Sequence, residues 1–252
     1  MIRIVCLLIF SVMICSCASN KEMLYLQDAE EYVKGKINYS NPKIQPNDVL
    51  RIIVSTLNPE SALPYNVIPE NTGAGNIQIM QLDGYLVSES LTINFPVLGV
   101  LSVKDMTTQE FAVYLKEILE TGGHLIDPSV DVRLINAKVT ILGEVNSPGT
   151  YNFTEQNITL LQALGYAGDL TIYGKREDIL IMREEEGVRQ ITHIDLTTSN
   201  WINGDFNYIK PNDIIVVNPN NPKVKSSGFV GNVGVLISVI SIVFSTIVLI
   251  TK

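Results

Sequence analysis

The sequence predicts an α+β fold of two small domains, each a short helix packed on strands, followed by a C-terminal transmembrane helix. Three observations predict it. The segment Ile44-Gln45-Pro46-Asn47-Asp48-Val49-Leu50 returns as Ile209-Lys210-Pro211-Asn212-Asp213-Ile214-Ile215. Two helix-start signatures stand among runs of strand-like alternation. Near the C-terminus, 23 consecutive residues carry no charge.

The chain opens with a basic residue, Arg3, then the apolar run Ile4 to Ile14, then Cys15-Ser16-Cys17-Ala18. This is a secretory pattern, and the run is too short to span a bilayer. Ser16 supplies the small residue that a lipoprotein peptidase requires before an acylated cysteine, whereas Cys15 as acceptor would place the bulky Ile14 at the cleavage site. Residues 1–16 are therefore expected to be a lipoprotein signal peptide and Cys17 the lipid attachment residue. Cleavage there removes Cys6 and Cys15, so no disulfide or thiolate metal site is expected. Residues 17–43 carry charges, Asn and Tyr without periodicity and read as a lipidated tether.

Both copies of the echo read as turn then strand: Pro presets φ, Asn and Asp bond the nearby backbone, and β-branched residues continue as a buried strand. The aspartates are turn formers in this reading. Thr107-Thr108-Gln109-Glu110 fits a capping box, and Phe111, Tyr114, Leu115, Ile118 and Leu119 follow at helical spacing up to Gly122-Gly123. Val130, Val132 and Leu134 alternate with Asp131 and Arg133 as a half-exposed strand. A second domain starts with Val139, Ile141, Gly143 and Val145 in alternation and turns at Pro148-Gly149, the pair favoured by a type II turn. A second capping box, Thr159 to Gln162, leads a short helix that stops at Ala167-Gly168. Strands over Ile179–Arg183 and Gln190–Ile194 and the second echo complete a β-grasp-like arrangement.

The uncharged run, Gly228 to Ile250, would reach roughly 34 Å as a helix, enough to cross a bilayer. Gly231, Gly234, Ser238, Ser241 and Ser245 recur in it at spacings of three and four, a small-residue stripe suited to helix packing or to lining a lumen.

The formal net charge of −8 leaves no general positive field for a phosphate backbone, so nucleic acid is not an expected partner. Only His124 and His193 are present, in dissimilar settings, and no His-x-Glu, Cys-x-x-Cys or Gly-x-Ser-x-Gly arrangement occurs. No catalytic residue, cofactor or metal site is expected. The run Glu184-Glu185-Glu186-Gly187 reads as a solvated hairpin tip, and Gly73-Ala74-Gly75 as a loop without a phosphate-binding helix behind it.

The chain resembles the outer-membrane polysaccharide export family, the Wza-type lipoproteins of capsule and exopolysaccharide secretion. Its first part resembles the export domain through Pro46-Asn47-Asp48, Phe95-Pro96-Val97-Leu98-Gly99, the helix after Thr107 and Asp127-Pro128-Ser129-Val130-Asp131-Val132. The second resembles a soluble-ligand-binding β-grasp (SLBB) domain through Gly143-Glu144-Val145, Pro148-Gly149-Thr150-Tyr151, Ala167-Gly168, Arg183 and Pro211-Asn212-Asp213. The resemblance implies an export domain over 44–136, an SLBB domain over 137–219 and a membrane helix over 228–250. It also implies a homo-oligomeric ring, commonly of eight subunits, conducting a polysaccharide passenger through the outer membrane. An inner-membrane polysaccharide co-polymerase, often a tyrosine kinase, would feed it. Two departures stand out: Leu91 occupies a position where the family often has Gly, and only one clear β-grasp repeat is present. The rival reading is a membrane-anchored saccharide-binding or scaffolding lipoprotein that forms no pore, with Tyr151, Tyr166, Tyr173 and Tyr208 as candidate sugar-stacking residues.

Overall fold

The computed structural model describes residues 23–32, 34–35, 41–67, 83–185 and 187–226, with isolated positions between 234 and 246. Two hydrophobic cores divide these residues. The first echo turn leads into β1 (Val49–Ser55), whose Leu50, Ile52 and Val54 point inward by the two-residue period of a strand. A one-turn helix α1 (Pro59–Ala62) follows. The short strand β2 (Tyr85–Leu86) pairs antiparallel with β1 on one side. A hairpin of β3 (Thr92–Phe95) and β4 (Gly99–Ser102) comes next. Helix α2 (Thr108–Thr121) starts at a complete capping box in which Thr107 accepts from the Glu110 amide and Glu110 accepts from the Thr107 amide. Its Phe111, Leu115 and Leu119 are fully buried, each contributing roughly 1.5–3 kcal/mol by leaving water. Gly123, at φ +69°, takes the left-handed conformation that stops the helix. Strand β5 (Ser129–Leu134) then closes the sheet in the order β2-β1-β5.

The hairpin that carries Phe95-Pro96 settles the Leu91 departure. Leu91 itself adopts φ +56°, so the turn keeps the left-handed geometry a glycine would take freely, and leucine bears the steric cost of roughly 1–2 kcal/mol.

The second unit contains β6 (Lys138–Gly143), β7 (Gly149–Asn152), β8 (Ile158–Thr159), helix α3 (Leu160–Tyr166), β9 (Gly174–Glu185), β10 (Val188–Ile194), β11 (Tyr208–Ile209), β12 (Ile214–Pro219) and a terminal helix α4 (Asn221–Ser226). Its mixed sheet has the order β10-β9-β12-β6-β7, with β12 parallel to β6 and antiparallel to β9. Leu160, Ala163 and Leu164 of α3 join a core with Val139, Ile141, Ile179, Ile181, Ile215 and Val217. One short capped helix thus covers one face of the sheet, the β-grasp-like layout read from the sequence.

Three expectations are corrected. Gly149 does not take positive φ in a type II turn; it pairs with Ile141 in the β6–β7 ladder, and the left-handed residue is Gly143 at φ +91°. Residues within the expected tether are docked: Leu26 and Gln27 donate their amides to Leu196 and Thr197 carbonyls at 3.0 and 2.7 Å, and Tyr25 and Leu26 pack on the second core. The transmembrane helix expected over 228–250 is overturned as well: among the described residues no helix is long and apolar enough to cross a membrane. Length and hydropathy permit a spanning helix without requiring one. The run is rich in Gly and β-branched Val and Ile, residues of modest helix propensity. Most of it, with Gly231 of the stripe, lies outside the described residues. So does Cys17.

Candidate functional site

The two echo turns meet where the two units join. Each is built alike: Asn47 and Asn212 both stand at φ +69°, after a proline, and the following aspartate folds back onto the amide three residues earlier. Asp48 accepts from the Gln45 amide at 2.8 Å and Asp213 from the Lys210 amide at 2.9 Å. A Pro-then-left-handed-Asn turn closed by an Asp side chain is what the residue types dictate. Both aspartates are buried, at 4% and 1% exposure.

Their surroundings differ. Asp213 lies against the Arg183 guanidinium, which donates Nε to Oδ1 at 3.0 Å and Nη2 to Oδ2 at 2.7 Å. The remaining guanidinium hydrogens reach the Asp205 and Tyr208 carbonyls, and the group lies over the Phe206 ring at 4.5 Å. Burial pushes the Asp213 carboxyl up, while Arg183 pulls it down. Asp48 has no such guanidinium, and burial pushes its carboxyl up to about 6.

The link between the units is short, because β5 ends at Leu134 and β6 begins at Lys138. Asn136 in that link brackets the first turn, its Oδ1 accepting from the Val49 amide at 2.8 Å and its Nδ2 donating to the Asn47 carbonyl at 2.9 Å. On one side of the seam lies a cleft of about 570 Å3 lined by Gln45, Asn47 and Asn212 of the turns, Lys104, and Glu184 and Glu185 of the β9–β10 hairpin. Its wall is tied by Lys210 Nζ to Glu185 at 2.8 Å and by Gln45 Nε2 to the Glu184 carbonyl at 3.3 Å.

Other residues singled out in the sequence do not converge. Tyr151 and Tyr166 stack on each other at 6.2 Å, and the Tyr151 hydroxyl donates to the Ser147 carbonyl. Tyr173 lies under the Lys223 ammonium at 5.0 Å, and Tyr208 offers its carbonyl to Arg183. They form no shared sugar platform. His124 faces the Tyr65 hydroxyl at 3.1 Å, and the exposed His193 ring lies 2.5 Å from Asp178. Glu184 pairs with Arg189 at 3.0 Å, as befits a solvated hairpin, and Glu186 lies outside the described residues. Of the stripe, Gly234, Ser238, Ser241 and Ser245 are helical and exposed, with the Ser238 hydroxyl donating to the Gly234 carbonyl at 2.8 Å.

The N-terminal clasp on the second unit carries no periodicity or motif that marks it in the sequence. There the Tyr25 hydroxyl donates to Asp169 at 2.5 Å, beneath the buried Arg176 at 5.3 Å from its ring. Burial and the Asp169 carboxylate hold that hydroxyl protonated. Ser199 donates to Asp28 at 3.0 Å, and Tyr32 to Asn203 at 2.8 Å.

Comparison with known families divides the chain at the same seam. Residues 37–135 match the polysaccharide biosynthesis/export protein family, and residues 137–217 match the SLBB domain. The chain thus resembles, in order, a polysaccharide biosynthesis/export domain and an SLBB domain. Two similar proteins carry the name EPS I polysaccharide export outer membrane protein EpsA. The one from Ralstonia solanacearum is 29% identical over 137 residues, covering 52% of this chain and 35% of the relative. The one from Ralstonia nicotianae is 30% identical over 149 residues, covering 56% of this chain and 38% of the relative. The matched stretch thus spans little more than a third of these export proteins.

Proposed function

We propose that the chain is a subunit of an outer-membrane assembly that exports capsular or exopolysaccharide. The observation that carries this reading is the succession of export and SLBB matches, one on each packed unit, with the seam between them. The names of the two relatives support it. In this reading Cys17 is acylated and holds the protein at the outer membrane, with both folded units in the periplasm. Subunits associate head to tail in a ring, since a repeated heterologous contact closes when its rotation closes. The stripe Gly231, Gly234, Ser238, Ser241 and Ser245 serves as a close-packing face within the assembly.

Conduction is passive. The conduit supplies a wide hydrated path, and an inner-membrane polysaccharide co-polymerase supplies direction. A long hydrated polymer is accommodated by width and partner rather than by a tight pocket, which suits a chain whose candidate sugar-stacking tyrosines are dispersed.

The mass and end-on electron-microscope appearance of the detergent-extracted full-length protein test the assembly. A closed ring with an axial opening is expected. A monomer stable across detergents would overturn the conduit and favour a saccharide-binding or scaffolding lipoprotein.

A further inference from the structure

The twin turns provide an internal comparison. The same Pro-Asn-Asp turn, with the same backbone geometry, buries its carboxylate twice. In the second unit the carboxylate is neutralised by Arg183. In the first the residue is 4% exposed, and its carboxylate accepts from the Gln45 backbone amide. Buried carboxylates without a cation are costly when ionised, because one amide does not replace the water they lose.

Asp48 lies at the seam. It borders a cavity of about 50 Å3 whose walls come from both units: Ile44, Thr108 and Leu134 from the first, Phe153 and Pro211 from the second. That volume has room for water. The charged residues facing it are Lys43 on the segment before the turn and Glu155 on the second unit. The Lys43 ammonium lies 3.9 Å from Asp105. Helix α2 presents Thr108 and Gln109 there, and its Glu110 is engaged by the Thr107 amide. Among the described residues none forms a salt bridge with Asp48.

We propose that the seam between the two units is a proton-controlled joint, in which protonated Asp48 seals the contact and ionised Asp48 draws water into the cavity and loosens it. Burial and the missing counterion set the direction. The closed state holds the proton more tightly than the open, hydrated one, so opening becomes easier as pH rises from about 4 to about 6 and is then level. The second unit should respond less in its own turn, since burial raises Asp213 too but Arg183, charged throughout that range, opposes the shift. The joint does not depend on the export reading. It would set the angle between the units according to the acidity of their surroundings, whatever passes the assembly.

Hydrogen exchange of the full-length protein in detergent, read on peptides covering residues 43–50 and corrected for the intrinsic pH dependence, tests it. Between pH 4.5 and pH 7.5 the opening constant should rise about 25-fold, the part of the full tenfold-per-unit response that lies above pH 4.5. Asp48→Asn should abolish the rise while peptides from the second core remain unchanged. Gln109→Lys, at an exposed position on the cavity wall, keeps Asp48 and adds a cation; it should shift the response to lower pH. Equal pH profiles for wild type, Asp48→Asn and Gln109→Lys would overturn the joint. A rise of the same size in the second core would also overturn it, as general loosening.

Discussion

Replacing Arg183 with Ala should destabilise the second unit by about 3–5 kcal/mol. The change leaves the Asp213 carboxylate buried without its cation and strips the Asp205 and Tyr208 carbonyls of their donors. The penalty arises from the partners left behind rather than from the intrinsic strength of the pair. Arg183→Met combined with Asp213→Asn should therefore recover much of the loss, because it removes both charges at once. Arg183→Lys should recover little, since an ammonium has no planar fork to reach both carboxylate oxygens and the two carbonyls. Chemical unfolding followed by a signal from Trp201, buried in the second core, reads all three.

The second large effect is expected at Gly143. A methyl group there would lie 2.0 Å from the Val217 carbonyl oxygen, and the residue stands at φ +91°. That carbonyl accepts the Glu144 amide at 2.9 Å and continues the parallel pairing of β6 with β12. Gly143→Ala must break this contact or move a central strand, at a cost of about 3 kcal/mol or more from backbone strain and overlap together. Gly149→Ala is the matched control. Its added methyl would meet Tyr151 at 3.7 Å, an ordinary contact, and its effect should stay within about 0.5 kcal/mol. The same unfolding experiment measures both.

This pair of glycines shows where local sequence information ends. Pro148-Gly149 carries the composition of a type II turn, yet its neighbours in the sheet draw Gly149 into a strand, and the left-handed residue falls at Gly143, inside what looked like an alternating run. Capping boxes were legible because donor, acceptor and spacing lie within four residues, and both form as read. The Pro-Asn-Asp turns were legible for the same reason. What distinguishes the two aspartates was not, since Arg183 lies 30 residues from Asp213 and no local signal says which aspartate it meets. Nor did the sequence show that residues 25–32 clasp the second unit before the chain enters the first. That clasp combines the packing of Tyr25 and Leu26 with scattered hydrogen bonds at separations such as 171 residues, without periodicity of its own. Over the C-terminal run apolar length predicts a spanning helix, and among the described residues no such helix is found.

Polysaccharide export is tested most directly by measuring cell-surface and released polysaccharide in cells lacking this protein, with and without its restoration. Loss of external polymer, recovered by the wild-type chain, is the predicted result. Undiminished external polymer in cells that lack this protein and any second copy of its family would contradict it.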